Sequence, residues 1–225
     1  MKRLLLKILL FVLTSLFVVV FWKIWTETSN YAWNPQGKEL LMLDTALISI
    51  FFYKTLFWLF VANLTVFTVI QLKRKKYKIV GSIFLLTIVF YIFAGLYVNK
   101  KCAPFYYIVF HNQSVMEEFI DRPILEAGYH IGHILTEKIN DKEMKYRIYA
   151  IGGLEKIKYK PATESLKRIL FDQTEYECFR VDAYQVLHSF DTKETKKILS
   201  DFRNQATDTL DKKVIELGDF YIKNK

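Results

Sequence analysis

Two histidines and two carboxylates form the most plausible metal site in the sequence. Glu126, His130, His133 and Glu137 are separated by four, three and four residues, so a helix over 123–139 would carry all four on one face. Imidazole and carboxylate groups at that spacing can hold Zn²⁺. However, the polar face of an amphipathic helix has the same composition, and no further His or Cys has a fixed place nearby. The pattern favours a solvated face and leaves Glu126, His130 and His133 as weak candidate ligands.

Lys54 is another residue that invites a functional interpretation, because it separates the apolar stretch 40–53 from the apolar run 55–72. A charge inside a membrane often marks an ion or substrate path. Residues 55–72 are long enough to cross without it, so Lys54 can instead end the span and extend its amine to the headgroups. The second interpretation is favoured, and the first stays open as an alternative function in a membrane enzyme or transporter.

Sequence motifs of catalysis are missing from the chain. It contains no glycine-rich phosphate loop, no Gly-x-Ser-x-Gly elbow and no His-Glu-x-x-His zinc motif. The two cysteines, Cys102 and Cys178, are too few for a disulfide framework, although one bridge remains possible. The sequence therefore predicts a protein that is not an enzyme and uses no cofactor.

Three apolar runs are long enough to cross a bilayer, whose hydrocarbon layer takes about 20 helical residues. They cover 4–22, 48–72 and 79–98. The first follows a basic start and resembles a secretory signal, but it is longer than a signal core, and aromatic residues replace the small residues of a cleavage site. It is predicted to be an uncleaved signal anchor, and residues 1–101 are predicted to form a transmembrane region.

The positive charge is concentrated beside these apolar runs. Residues 1–100 contain 12 Lys or Arg and 3 Asp or Glu, whereas residues 101–225 contain 20 of each. A nucleic-acid-binding protein would carry its basic face on the soluble part, so this class is excluded. Five positive charges lie in the loop 73–78, which is predicted to stay in the cytoplasm with the N-terminus. The C-terminal part then lies outside the cytoplasm, in what resembles a bacterial inner membrane protein.

The rest of the chain is predicted to be helical. Residues 102–113 are too apolar for water and too short to span, so they are predicted to form an interfacial linker. Residues 114–225 show capping signals and helical periodicity without an alternating strand pattern. The predicted helices lie at 115–121, 123–139, 142–158, 161–171, 175–190, 193–203 and 207–222. The fold class is therefore all-α, with about three transmembrane helices before a helical domain.

An internal repeat appears when the chain is shifted by 33 residues. Arg147 then falls on Arg180, and Leu154 falls on Leu187. Helix pairs of this kind bury their apolar faces by stacking on the next pair.

The segments 146–154 and 179–187 resemble the second helices of HEAT repeats. The resemblance covers about residues 122–205. It implies a short α-solenoid of antiparallel helix pairs, with about three repeats, and it indicates an architecture rather than an activity.

Arg147 lies near the centre of the apolar stripe of the predicted helix 142–158, where an unpaired charge is costly. A guanidinium can bind a carboxylate through two parallel bonds, and Asp141 is close in sequence. The HEAT resemblance implies the same role for Asp172 beside Arg180. Both arginines are therefore interpreted as structural braces.

The opposite face of the same helices is the candidate partner surface, because second helices line the concave side of HEAT-like stacks. The predicted partner-binding residues are Lys145, Tyr149, Lys156, Asp182, Gln185 and Ser189, with Gly152 and Cys178 beside them. A plain solvated surface would look the same. The function predicted from the sequence is a membrane-anchored scaffold, regulatory subunit or assembly factor that binds another protein at or in the membrane. A metal-binding module and an accessory subunit acting through the transmembrane half are the alternatives.

Overall fold

A computed structural model describes residues 2–28, 36–112 and 121–224 of the chain. Within these ranges every regular element is a helix and no strand occurs, which confirms the all-α prediction. The chain divides into two compact units, residues 1–116 and 117–225. The predicted boundary at 113–114 and most of the predicted helix 115–121 lie outside the described residues.

Three long helices make up the first unit: α1 (Lys2–Thr28), α2 (Lys38–Lys73) and α3 (Tyr77–His111). All three are long and apolar enough to cross a membrane, as predicted. At about 1.5 Å per residue, α2 and α3 are each about 50 Å long, whereas the hydrocarbon layer is about 30 Å thick. Because no Gly or Pro interrupts α2, this helix begins well before the span predicted at 48–72.

Helices α2 and α3 form an antiparallel hairpin. Lys75 adopts a left-handed conformation in the turn between them, with φ of 57°. Along the hairpin, Phe57 stacks on Phe90 with ring centroids 6.0 Å apart. Helix α1 packs against α2, where the Asn63 amide donates a hydrogen bond of 3.1 Å to Ser15. The basic segment 73–78 therefore lies at the tip of the hairpin.

The segment predicted to be an interfacial linker, 102–113, belongs to α3 as far as His111. Pro104 lies inside the helix without ending it. The side chains of Cys102 and Phe110 in this segment are completely shielded from solvent. The last turns of α3 are therefore a packed helical extension, and residue 113 lies outside the described residues.

The second unit consists of shorter helices that succeed one another through brief turns. They are α4 (Arg122–Ala127), α5 (Gly132–Lys138), α6 (Arg147–Lys156), α7 (Thr163–Phe171), α8 (Glu177–Phe190), α9 (Lys193–Gln205) and α10 (Thr209–Lys223). Two 3₁₀ turns, Gly128–Ile131 and Lys160–Ala162, precede α5 and α7.

Helix α8 is the centre of this unit and packs against α6, α7, α9 and α10. Two pairs of residues that the 33-residue shift matches have the same environment. Ala150 and Leu154 of α6, and Ala183 and Leu187 of α8, are all fully shielded. The equivalent positions of α6 and α8 therefore both face the core.

The prediction of one continuous helix over 123–139 is wrong. Gly128 ends α4 with φ of 57°, a left-handed conformation that glycine adopts without steric cost. The chain then passes through a 3₁₀ turn before α5 begins at Gly132. Similarly, Tyr146 adopts φ of 61°, so α6 begins at Arg147 rather than at 142.

Candidate functional site

The candidate zinc stripe is not assembled in the structure. A zinc site on one helical face required a single helix through Glu126, His130 and His133. Gly128 ends α4, so Glu126 lies in a different helical element from the two histidines. Glu126 instead forms an ion pair with Arg122, with 2.5 Å between Oε1 and Nε. In the part of the chain that the structure describes, no group of three or more potential ligands could hold a metal ion.

Arg147 is buried as expected, but Asp141 is not its partner. The Arg147 Nε donates a hydrogen bond of 2.6 Å to the Ile139 carbonyl. Its Nη1 lies 2.7 Å from Glu175 Oε2, and both side chains are only 2% exposed. Asp141 instead accepts a bond of 3.0 Å from the backbone amide of Glu143 in an exposed turn. The predicted pairing of Arg147 with Asp141 is therefore wrong. Packing instead brings the Glu175 carboxylate, which precedes α8, next to the Arg147 guanidinium.

Arg180 repeats this arrangement one helix pair later. Its Nε donates to the Leu170 carbonyl at 2.9 Å, and its Nη2 pairs with the Asp211 carboxylate in the first turn of α10. Both charged side chains are buried. The planar guanidinium also lies against the ring of Phe202, with 5.6 Å to its centroid. Each arginine thus joins the carbonyl end of the preceding helix to the start of a later helix, α8 for Arg147 and α10 for Arg180.

Asp172 is the second predicted partner that the structure corrects. Its carboxylate forms an ion pair of 2.6 Å with Lys142 and accepts hydrogen bonds from the amide and hydroxyl of Thr174. The hydrogen bonds from Lys142 and Thr174 hold the pKa of Asp172 well below its usual range. Asp172 therefore stabilises the turn before α8 and does not pair with Arg180.

A further polar cluster joins α8, α9 and α10 around the buried Tyr184, and no sequence pattern indicated it. The Tyr184 hydroxyl donates to Asp219 at 2.8 Å, and it accepts a bond of the same length from Arg203 Nε. Arg203 Nη2 lies 2.6 Å from the same carboxylate. Burial, followed by the bond to Asp219, raises the pKa of Tyr184 to about 12. The three residues are far apart in sequence, so only the packing of three helices brings them together.

These buried groups hold the helices in place and do not present a reactive group. Each guanidinium contacts a carbonyl, a carboxylate and an aromatic ring. Because the loss of either partner of a buried ion pair is costly, such a pair holds the neighbouring elements together. We call the buried pairs Arg147–Glu175 and Arg180–Asp211 the arginine rungs. They position the surface that α6 and α8 present.

A groove of about 430 Å³ crosses α6, α8 and α10. Helix α8 contributes Cys178, Asp182 and Gln185, all three from the face that the sequence indicated as a partner surface. The remaining lining comes from Ile148, Glu177, Val181, Leu217 and Tyr221. A concave site with apolar walls and a few polar groups is the usual form of a binding site.

The other predicted partner residues lie outside the groove. Lys156 forms an ion pair with Asp121. Lys145 lies over the ring of Tyr146, with its Nζ 4.7 Å from the centroid. Tyr149 is 39% exposed, and the Ser189 hydroxyl donates to the Val186 carbonyl at 2.9 Å. The structure thus brings Asp182 and Gln185 together and leaves the rest distributed over the surface.

The apolar lining of the groove is what sequence reasoning missed. Leu217 and Tyr221 belong to α10, which has no counterpart in the 33-residue match of α6 with α8. Ile148 follows Arg147 directly and stood outside both faces that the helical pattern defined. Glu177 at one end of the groove pairs with Lys213 of α10 at 2.9 Å. In the sequence, only the number of residues between the α8 and α10 segments could have indicated that α10 contributes to the groove.

Lys54 occupies a separate site in the first unit. Its Nζ donates a hydrogen bond of 2.6 Å to Asn99 Oδ1, and it lies 5.8 Å from the ring centroid of Tyr106. A cleft of about 380 Å³ opens beside it between α2 and α3. The lysine therefore has defined partners on α3.

Comparisons of the chain with protein-family models, with curated proteins and with solved structures find no match. The groove and the cleft are therefore the features from which a function can be inferred.

Proposed function

We propose that this chain is a membrane-anchored adaptor whose helical domain binds another protein through the groove between α6, α8 and α10. The observation that carries the proposal is the groove itself. It is concave, it combines apolar walls with polar groups, and three helices contribute to it. A partner side chain or helix that enters it would bury the exposed surface of Tyr221, which is 49% accessible.

The helical domain is proposed to be a short HEAT-like solenoid. The equivalent buried positions of α6 and α8 support this proposal, as does the recurrence of the arginine rung at Arg147 and Arg180. In such a stack, α6, α8 and α10 would be the second helices of successive repeats. Their common face would then form one continuous recognition surface.

The three long helices are proposed to cross a bacterial inner membrane. The five positive charges at the tip of the α2–α3 hairpin support a cytoplasmic tip and a cytoplasmic N-terminus. The helical domain would then lie outside the cytoplasm, next to the membrane. Restriction to the membrane surface raises the effective concentration of the groove toward a membrane partner.

Side-specific reporters fused after Lys225 test this topology. A reporter that is active only outside the cytoplasm should give signal, and one that is active only inside should stay silent. The reverse result would mean that an even number of helices crosses the membrane.

Site-specific photocrosslinking in the native host tests the binding function. A photoreactive amino acid replaces Gln185 in the groove, and in a matched variant it replaces Lys197, which is exposed on α9. We expect a discrete crosslinked product from position 185 only. A third variant carries the photoreactive amino acid at Leu217, also in the groove. Equal products from positions 185 and 197, or no product from either position 185 or position 217, would overturn the proposal.

One alternative function has an observation in its favour. The hydrogen bond between Lys54 and Asn99 is a polar contact between two apolar helices, as in an accessory subunit that works within the membrane. Replacing Lys54 by Met should abolish such an activity and leave partner crosslinking from position 185 intact.

A further inference from the structure

Lys54 and Asn99 lie at nearly the same distance from the basic tip of the α2–α3 hairpin. At about 1.5 Å per residue, Lys54 lies about 28 Å along α2 from Lys73, and Asn99 lies about 31 Å along α3 from Lys78. The hydrogen bond of 2.6 Å between Lys54 and Asn99 shows that the two distances end at the same level. Since the hydrocarbon layer is about 30 Å thick, a hairpin with its basic tip at one surface has this pair at the other.

The cleft beside this pair is polar at one end only. Beyond Lys54 and Asn99, its walls continue toward the basic tip and are apolar or aromatic. They consist of Phe57, Trp58, Tyr91, Ile92, Gly95, Leu96 and Val98. Trp58 and Tyr91 remain 37% and 50% exposed, so the cleft opens sideways from the hairpin. It therefore runs from the membrane surface into the hydrocarbon layer.

This polarity matches one class of molecule. An ammonium group carries three N–H donors and a positive charge, and both suit a phosphate. The position of Lys54 is fixed by Asn99 and by the ring of Tyr106, so little further ordering is needed. The apolar walls suit an acyl chain that extends from that phosphate toward the middle of the bilayer. A free phosphate would use the charged end alone.

We propose that the cleft between α2 and α3 is a binding site for an anionic phospholipid in the leaflet opposite the basic tip. The phosphate contacts Lys54 and Asn99, and one acyl chain lies against Trp58 and Tyr91. The site depends on both helices crossing the membrane, but it is independent of the protein-binding groove.

Native mass spectrometry of the full-length protein tests the site. The protein is released from micelles that contain equal amounts of phosphatidylglycerol and phosphatidylcholine, and retained lipid is counted. We expect phosphatidylglycerol to be preferred about fivefold, the contribution of one lysine next to an anionic surface. Lys54→Met should remove the preference, and Lys54→Arg should keep it.

The matched control is Lys100→Met, which removes the same charge at nearly the same depth without altering the cleft lining. This variant should retain the preference. A second control, Gly95→Leu, keeps every charge and fills the cleft beside Phe57, so it should reduce the retention of both lipids. Circular dichroism establishes that each variant keeps its helical content.

Three results would overturn the proposal. The first is equal retention of the two lipids by the wild type. The second is an equal loss of preference in Lys54→Met and Lys100→Met, which would indicate a general surface charge effect. The third is displacement of the lipid by millimolar glycerol phosphate, which would indicate a site for a free phosphate. Photocrosslinking from position 185 would be unchanged in each case, so failure here is distinguishable from failure of the proposed adaptor function.

Discussion

The two units place the same residue types in opposite environments. In α3, Leu86 and Phe93 are 57% and 70% exposed, whereas Leu154 and Leu187 in the second unit are fully shielded. A water-soluble fold could not leave such a continuous apolar surface exposed. The first unit thus has the exposed apolar surface of helices that cross a membrane, whereas the second has an apolar interior, although both are made of helices.

The charged side chains of the two units also differ in their partners. In the first unit, Lys54 is partnered by an amide and an aromatic ring. In the second unit, Arg147 and Arg180 are buried against carboxylates. A lysine near a membrane surface can extend its amine toward the headgroups. An arginine in a protein core has no such outlet and requires a buried counter-charge.

The largest effect should come from breaking a buried arginine rung. Arg180→Met leaves the Asp211 carboxylate buried without its cation, which should destabilise the helical domain by about 3–5 kcal/mol. Pulse proteolysis of the full-length protein in urea measures this change. Lys196→Met removes an exposed pair with Asp191 and should change stability by less than about 1 kcal/mol. The assignment of Arg180 as a brace fails if both variants behave alike.

Two leucine-to-alanine substitutions, one in each unit, test directly whether the two units are surrounded by different solvents. Leu187→Ala creates a cavity in the second unit and should cost about 2–5 kcal/mol. Leu86→Ala faces lipid in our proposal, where tails are as apolar as leucine, so it should cost far less. Urea pulse proteolysis of both variants in lipid nanodiscs gives the comparison. A large loss for Leu86→Ala would show that this side chain is packed against protein in the membrane.

Tyr184 should make the second unit sensitive to alkali. Its folded pKa of about 12 lies above the ordinary tyrosine value of about 10. Between these two values the unfolded chain loses the phenolic proton and the folded chain keeps it, so stability falls as pH rises through this window. Tyr184→Phe should remove this component of the decline. Tyr221→Phe, at an exposed position, should not change it in parallel unfolding measurements.

The smallest effect should come from Asp172, whose folded pKa is lowered by Lys142 and Thr174. Its contribution to stability is present above the unfolded carboxyl pKa of about 4 and is lost as pH falls below it. The stability difference between the wild type and Asp172→Asn should therefore shrink as the pH is lowered from about 5 toward 2. A constant difference over that range would contradict the role of the Asp172 carboxylate.

Sequence reasoning succeeded where the signal was local. Apolar runs of sufficient length predicted the three long helices, and the 33-residue shift predicted that Arg147 and Arg180 are equivalent. It failed at Gly128, where a helical pattern continued through a residue that the structure uses as a break. It also paired each arginine with an Asp in the preceding turn, although the true partners lie 28 and 31 residues further on.

By itself, the sequence determined the helical class, the apolar spans, the basic segment 73–78 and the buried faces of α6 and α8, because periodicity and composition act over a few turns. Only the tertiary structure decided that Glu175 and Asp211 complete the arginine rungs, and that Lys54 meets Asn99. It also decided that α10 closes one side of the groove. These contacts depend on how far one helix is offset along its neighbour, and that offset is set by packing of whole side-chain surfaces rather than by any local pattern.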